Sequence, residues 1–129
     1  MNKRKVYIVL ITVVLLGLMW NLRPERTKID GLSGEIWNLI FTTDTKYANG
    51  YTDKGFYSIE VGMTEKGVLE ILGEPLTRWS PYQHTKFQDK AHYLGLQYSE
   101  SPSSTHYRLR QVYLDVGIVA EVIGYFYVD

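Results

Sequence analysis

The hydrophobic positions divide the chain into an apolar start, a polar and turn-rich middle, and an alternating end. After the basic residues Lys3, Arg4 and Lys5, residues 6–22 contain no charged side chain. A helix that spans a bilayer needs about 20 predominantly apolar residues, with about 17 as the lower limit. Residues 18–22 lack the small side chains of a signal-peptide cleavage site. The pattern therefore predicts an uncleaved transmembrane helix over residues 6–22, with residues 1–22 as the signal anchor.

Residues 23–56 are predicted to form a juxtamembrane linker that contains a short helix. Leu32, Ile36, Leu39 and Ile40 recur at helical spacing. This helix can either pack on the following domain or lie at the membrane surface, and the sequence leaves both positions open. Further along the linker, residues 49–50 permit either a small hairpin or a loop.

A second short helix is predicted over residues 64–72. Thr64 is a favourable N-cap, because its hydroxyl can accept a hydrogen bond from a backbone N–H of the first turn. Val68 and Leu72 lie on the same side of the helix. Gly73 can close a helix in a left-handed conformation, and Pro75 cannot continue one.

From residue 91 onward the hydrophobic period changes to two, which is typical of strands. Residues 92–98, 105–114 and 118–128 are predicted as three strands, and short turns between them favour an antiparallel meander. The predicted fold class is therefore α+β, with an N-terminal transmembrane helix followed by short helices packed on a three-stranded antiparallel β-meander. The folded domain is expected over residues 57–129.

The turn at residues 116–117 decides which side chains of the last two strands share a face. If the two strands pair regularly on either side of this turn, the face that contains Tyr113 is predicted to pack against the helix over residues 64–72. The opposite face then carries four candidate partner-binding residues: Arg108, Arg110, Tyr125 and Tyr127. Arg and Tyr are enriched at protein interfaces. An ordinary solvated face with cross-strand Arg–Tyr packing is the alternative.

Composition and charge narrow the classes of function. The formal net charge is zero, but residues 1–30 carry six Lys/Arg and two Asp/Glu, whereas residues 31–129 carry eight and twelve. A mildly acidic domain lacks the basic surface that nucleic acid requires. The chain has no cysteine, which excludes disulfides, thiolate catalysis and cysteine-ligated metals.

Motifs for catalysis, metals and cofactors are not found in the sequence. His84, Asp89 and His92 have irregular spacing, which is weak support for a metal site. No glycine-rich phosphate loop and no nucleophile elbow occurs. We therefore expect a protein that is not an enzyme and that needs no cofactor.

Two segments, Ile-Glu-Val-Gly-Met-Thr at residues 59–64 and Val-Leu-Glu-Ile-Leu-Gly-Glu-Pro at residues 68–75, resemble the first-helix signature of the SmpA/OmlA family. These are BamE-like small lipoproteins of the bacterial envelope. The resemblance implies an α+β domain with a binding function, accessory to outer-membrane protein assembly or to envelope integrity. Family members normally carry a lipidated cysteine, which this chain lacks.

These features predict a membrane-anchored, non-catalytic binding or scaffold protein of the bacterial cell envelope, with an envelope protein as its partner. The expected location is the inner (cytoplasmic) membrane, single-pass, with the C-terminal domain outside the cytoplasm, since the basic residues slightly favour an internal N-terminus. An alternative is an extracytoplasmic enzyme inhibitor of β-lactamase-inhibitor-like fold, which the resemblance also permits. A further alternative is a membrane-tethered regulator on the cytoplasmic side.

Overall fold

The structure is a computed structural model that describes residues 2–21, 27–41, 44–103 and 106–127. It confirms the α+β class, with an N-terminal helix, short helices and antiparallel sheet. The helices are α1 (Lys3–Asn21), α2 (Leu32–Ile40), α3 (Asp53–Tyr57) and α4 (Glu65–Leu72), with a 3-10 turn at Gln88–Lys90. The strands are β1 (Thr27–Ile29), β2 (Lys46–Tyr47), β3 (Thr77–Trp79), β4 (Leu94–Gln97), β5 (Ser99–Glu100), β6 (Tyr107–Asp115) and β7 (Ile118–Tyr127).

The predicted membrane span over residues 6–22 is corrected by the structure. Among the described residues, no helix combines the length and the apolar character needed to cross a membrane. The first three residues of α1 are basic, and its apolar part over residues 6–20 is about 22 Å long at ~1.5 Å per residue. The hydrocarbon core of a bilayer is about 30 Å thick. Residue 22 lies outside the described residues.

The main sheet contains the predicted meander and is larger than predicted. Strands β4, β6 and β7 pair antiparallel, as expected. Strand β3 adds antiparallel to β4, and β1 adds parallel to the other edge, next to β7. The order across the sheet is β1-β7-β6-β4-β3, while β2 and β5 form a separate pair.

Helix α4 confirms the predicted capped helix. The Thr64 hydroxyl accepts a hydrogen bond from the Gly67 N–H at 3.2 Å. Gly73 closes the helix with a φ of 72°. Val68 and Leu72 are fully buried in a core that also contains Val112 and other residues of the sheet. The locally specified helix thus supplies two fully buried residues of the core.

The segment predicted as a linker over residues 23–56 is partly built into the fold. Helix α2 confirms the predicted short helix, but β1 pairs with β7 along its whole length. Helix α3 was not predicted, and Thr52 caps it by accepting from the Gly55 N–H at 3.0 Å. Of the two alternatives left open at residues 49–50, the loop is found and the hairpin is not, because β2 pairs with β5 and not with the chain that follows the turn.

Candidate functional site

The β6–β7 hairpin decides where the four candidate residues lie, and it contains an irregularity. Its turn is as predicted, with positive φ at Val116 and Gly117. Leu114 lies opposite Val119, but Tyr113, the residue before Leu114, lies opposite Glu121. One extra residue, at position 120, is therefore accommodated in β7 as a bulge. From there to the open end of the hairpin, pairing is shifted by one residue relative to the prediction.

The bulge separates the four residues that were predicted to share one face. Arg110 lies opposite Gly124, and Arg108 lies opposite Phe126, on the face that packs against the helices. Tyr125 and Tyr127 lie on the other face. The predicted single patch of Arg108, Arg110, Tyr125 and Tyr127 is therefore wrong as one surface. For the same reason, the predicted helix-packing face is wrong for its β6 residues, including Tyr113, but right for Val122 of β7, which shares the core with Val68 and Leu72 of α4.

Arg110 is completely buried and takes part in the core. Its guanidinium donates to the Asp30 carboxylate at 2.6 Å and to the Tyr51 hydroxyl at 3.0 Å. The ring of Phe56 lies 5.2 Å from the guanidinium carbon. Burial alone would lower the pKa of Arg110, but the Asp30 carboxylate raises it, so the side chain is charged. Arg110 cannot reach a partner from this position, and its role is to hold residue 30 against the sheet.

Arg108 continues the same cluster toward the surface. Its guanidinium donates to Asp53 at 3.1 Å, to the Tyr57 hydroxyl at 3.4 Å and to Asp30 at 3.5 Å. Burial lowers the pKa of Arg108, and the nearby carboxylates, led by Asp53, raise it by more. The two arginines thus connect β6 to both α3 and the end of β1. This arrangement is structural, and we call these residues with Asp30 the arginine cluster.

The opposite face of the hairpin carries the side chains that remain accessible. Tyr125 is 41% exposed and Tyr127 is 39% exposed. The ring of Tyr107 lies 5.5 Å from that of Tyr127, and Leu109, which lies opposite Tyr125, is buried. We call Tyr107, Tyr125 and Tyr127 the tyrosine face. Tyrosine supplies a large apolar area with a polar end, which suits recognition of a protein surface.

A second cluster, which the sequence analysis missed, lies next to the tyrosine face. The buried Glu121 accepts from the Tyr82 hydroxyl and from the Lys90 ammonium, each at 2.8 Å. The ammonium also lies over the rings of Tyr82 and Tyr93, at 5.2 Å and 5.9 Å. The hydrogen bond to Glu121 raises the pKa of Lys90. These contacts hold residues 80–93 against the sheet. The sequence around Lys90 contains no local pattern that predicts them.

An open cleft of about 540 Å³ borders this second cluster. Its lining includes Val61, Lys90, Asp115 and Glu121. His92 contacts Asp115 through Nε2 at 2.8 Å. Within the described parts of the chain, no group of three or more His, Cys, Asp or Glu side chains is arranged to hold a metal ion. The Lys90 and Glu121 charges are already paired with each other, so the cleft offers little free charge to a ligand.

A scan of protein-family models, a search of curated proteins and a search of solved structures each found no match to this chain. The resemblance of residues 59–75 to the SmpA/OmlA signature therefore stays a prediction.

Proposed function

We propose that this chain is a non-catalytic binding protein of the bacterial cell envelope, held at the cytoplasmic membrane by α1. One observation carries the proposal: the apolar side chains of α1 are exposed around most of the helix, apart from the side where Gly17 packs against Leu32. Among the residues more than half exposed are Leu10, Val14, Leu16 and Met19. A helix that is apolar all round belongs in a protein interior or in lipid. No other part of the described chain encloses α1, so lipid is the proposed surrounding.

The charges at the start of α1 support the same proposal. Its first turn contains Lys3, Arg4 and Lys5 and no acidic residue. Cations are unfavourable at this end, because the helix dipole is positive there. Anionic lipid headgroups would offset this repulsion. No described helix crosses a membrane, so the placement of the domain outside the cytoplasm rests on the SmpA/OmlA resemblance alone.

Flotation with vesicles tests the membrane proposal. The full chain is mixed with vesicles of phosphatidylethanolamine and phosphatidylglycerol and floated through a density gradient. We expect the wild type to float, and Leu10→Glu to float much less, because a charge within α1 opposes lipid insertion. Val116→Glu is the matched control, since Val116 is also apolar and exposed but lies in the β6–β7 turn. Equal flotation of all three proteins would contradict the proposal.

The domain is proposed to bind an envelope protein through the tyrosine face. Tyr125 and Tyr127 remain in this proposal from the sequence analysis, whereas Arg108 and Arg110 are replaced by Tyr107. The SmpA/OmlA resemblance favours a partner in outer-membrane protein assembly or envelope integrity. A second candidate function, inhibition of an extracytoplasmic enzyme, is favoured by the same exposed tyrosines, which would fit an enzyme surface.

Crosslinking in cells followed by co-purification in mild detergent distinguishes the two candidates. Recovery of barrel-assembly subunits would support the accessory role, and recovery of one enzyme would support inhibition. In either case we expect the Tyr125→Ala/Tyr127→Ala double variant to lose the partner. Ile71→Ala is the control, because Ile71 is similarly exposed on α4. If the double variant keeps every partner, the tyrosine face is not the binding surface. Activity of a periplasm-dependent reporter fused at the C-terminus tests whether the domain lies outside the cytoplasm.

A further inference from the structure

Helix α2 turns its apolar side away from the domain. Leu39 is 90% exposed, and Leu32, Ile36 and Ile40 are also exposed. Gly34 and Asn38 are more covered than the other residues of α2 whose side chains are described. At 3.6 residues per turn, the four apolar residues form one stripe, roughly opposite Gly34 and Asn38. A surface helix in water normally has the reverse arrangement, with its apolar stripe against the core.

Contacts at both ends fix α2 in this orientation. At its start, a Cβ atom added to Gly17 of α1 would lie 3.2 Å from Leu32, so the two helices pack closely there. At its end, the ring of Phe41 lies 5.0 Å from that of His106, which precedes β6. Helix α2 therefore bridges α1 and the sheet. Its exposed stripe cannot be covered by a simple rotation of the helix without loss of these contacts.

The exposed stripe is continuous with the apolar surface of α1. A cleft of about 320 Å³ between the two helices is lined by Val13, Leu16, Gly17, Leu32 and Glu35. All of these except Glu35 are apolar or glycine. The apolar surface of α1 thus continues onto α2, with Glu35 as the one charged residue among the described ones in the cleft between them. The same surroundings are therefore expected for both helices.

We propose that α2 lies in the membrane interface, with Leu32, Ile36, Leu39 and Ile40 in lipid. This inference rests on the proposed function, because it takes lipid as the surrounding of α1. An interfacial helix places its apolar side about 5–10 Å into the boundary between headgroups and acyl chains. Trp37 stacks on Phe41 at the edge of the stripe, with ring centroids 5.0 Å apart. Aromatic rings favour the headgroup level, which agrees with this placement.

The cysteine-free chain allows a direct test by labelling at single positions. Leu39→Cys and Val116→Cys are each labelled with an environment-sensitive fluorophore in the full-length protein. The two sites are matched, because both are apolar and 90% and 85% exposed. The proteins are bound to vesicles of phosphatidylethanolamine and phosphatidylglycerol that contain lipids with a shallow nitroxide quencher. Thermal unfolding of each labelled protein confirms that the fold is intact.

We expect the label at residue 39 to lose roughly half of its fluorescence, because an interfacial helix lies at the depth of the shallow quencher. The label at residue 116 should lose almost none. If the protein floats with vesicles but neither label is quenched, this inference is wrong and the membrane role of α1 stands. If the protein does not float, both fail. A spectral shift at residue 39 that depends on protein concentration without vesicles would indicate a second copy of the chain as the occupant, and would overturn the lipid proposal.

Discussion

Replacing Asp30 with alanine removes the carboxylate that faces the buried guanidinium of Arg110. The two groups are 2.6 Å apart, and their side chains are 2% and 0% exposed. Asp30 follows β1, and Arg110 lies 80 residues further along the chain, in β6. The change therefore tests whether the arginine cluster joins the N-terminal segment to the sheet.

The expected destabilisation is large, because the charge of Arg110 has no route to water. Removal of one member of a buried ion pair typically costs about 3–5 kcal/mol in the free energy of unfolding. The Tyr51 hydroxyl still accepts from Arg110, but it carries no charge to replace the carboxylate. Domains of this size have a total stability of about 5–15 kcal/mol. The substitution thus removes a substantial fraction of the stability.

The effect is measured by urea unfolding of the full chain in mild detergent, with circular dichroism as the signal. Lys46→Ala is the matched control, since the Lys46–Glu100 pair is exposed and should contribute no more than about 1 kcal/mol. The double variant Asp30→Leu/Arg110→Met should be more stable than Asp30→Ala, because apolar replacement of both members is often nearly neutral. If Asp30→Ala costs no more than Lys46→Ala, the assignment of Asp30 as the required partner of Arg110 is refuted.

Three further predictions concern single sites. Gly124→Ala should destabilise the fold by about 1–3 kcal/mol, since the added Cβ would lie 2.7 Å from the Phe56 ring; urea unfolding measures this, and an unchanged midpoint would contradict it. Thr64→Ala should cost about 1 kcal/mol through loss of the N-cap, and a thermal midpoint equal to wild type would show that the cap is dispensable. Hydrogen bonds, led by that from the Ser103 hydroxyl, lower the pKa of Asp44 to about 2. Its contribution to stability should therefore be present above pH ~4 and be lost as the pH falls toward 2; a carboxyl NMR titration midpoint near 4 would exclude this.

Gly67→Ala serves as the control for the glycine substitution. A Cβ atom at position 67 would lie 3.5 Å from the Thr64 hydroxyl, an ordinary contact. Alanine within a helix is more favourable than glycine by about 0.5–1 kcal/mol. Gly67→Ala is therefore expected to stabilise the protein, in contrast to Gly124→Ala. If both substitutions destabilise equally, the close approach of Phe56 is not the cause.

The parts of the fold that the sequence predicts are those with local signals. Thr64 and Gly73 specify the start and end of α4 through interactions within a few residues. The alternation after residue 91 predicts three strands and their antiparallel order. The parallel pairing of β1 with β7 depends on contacts between residues far apart in the chain, so no local sequence pattern predicts it.

The candidate site could not be predicted from the alternation of side chains alone. A single extra residue at position 120 reverses which face of the hairpin the arginines occupy. Nothing in the sequence around Ala120 distinguishes a bulge from a regular strand. Arginine is also rarely buried without a partner, and the partner, Asp30, lies in a segment that resembles a polar linker. The position of Arg110 follows only when the tertiary structure brings Asp30 beside it.

The short connection between α1 and β1 limits how far the domain can reach. Helix α1 ends at Asn21 and β1 begins at Thr27, so the chain between these residues can extend to about 20 Å at most. All three residues of β1 pair with β7, so β1 adds no further length to this connection. If α1 lies in lipid, the sheet stays within a few nanometres of that membrane. A partner of the tyrosine face must then come to the same membrane surface, since this tether cannot carry the domain across to another one.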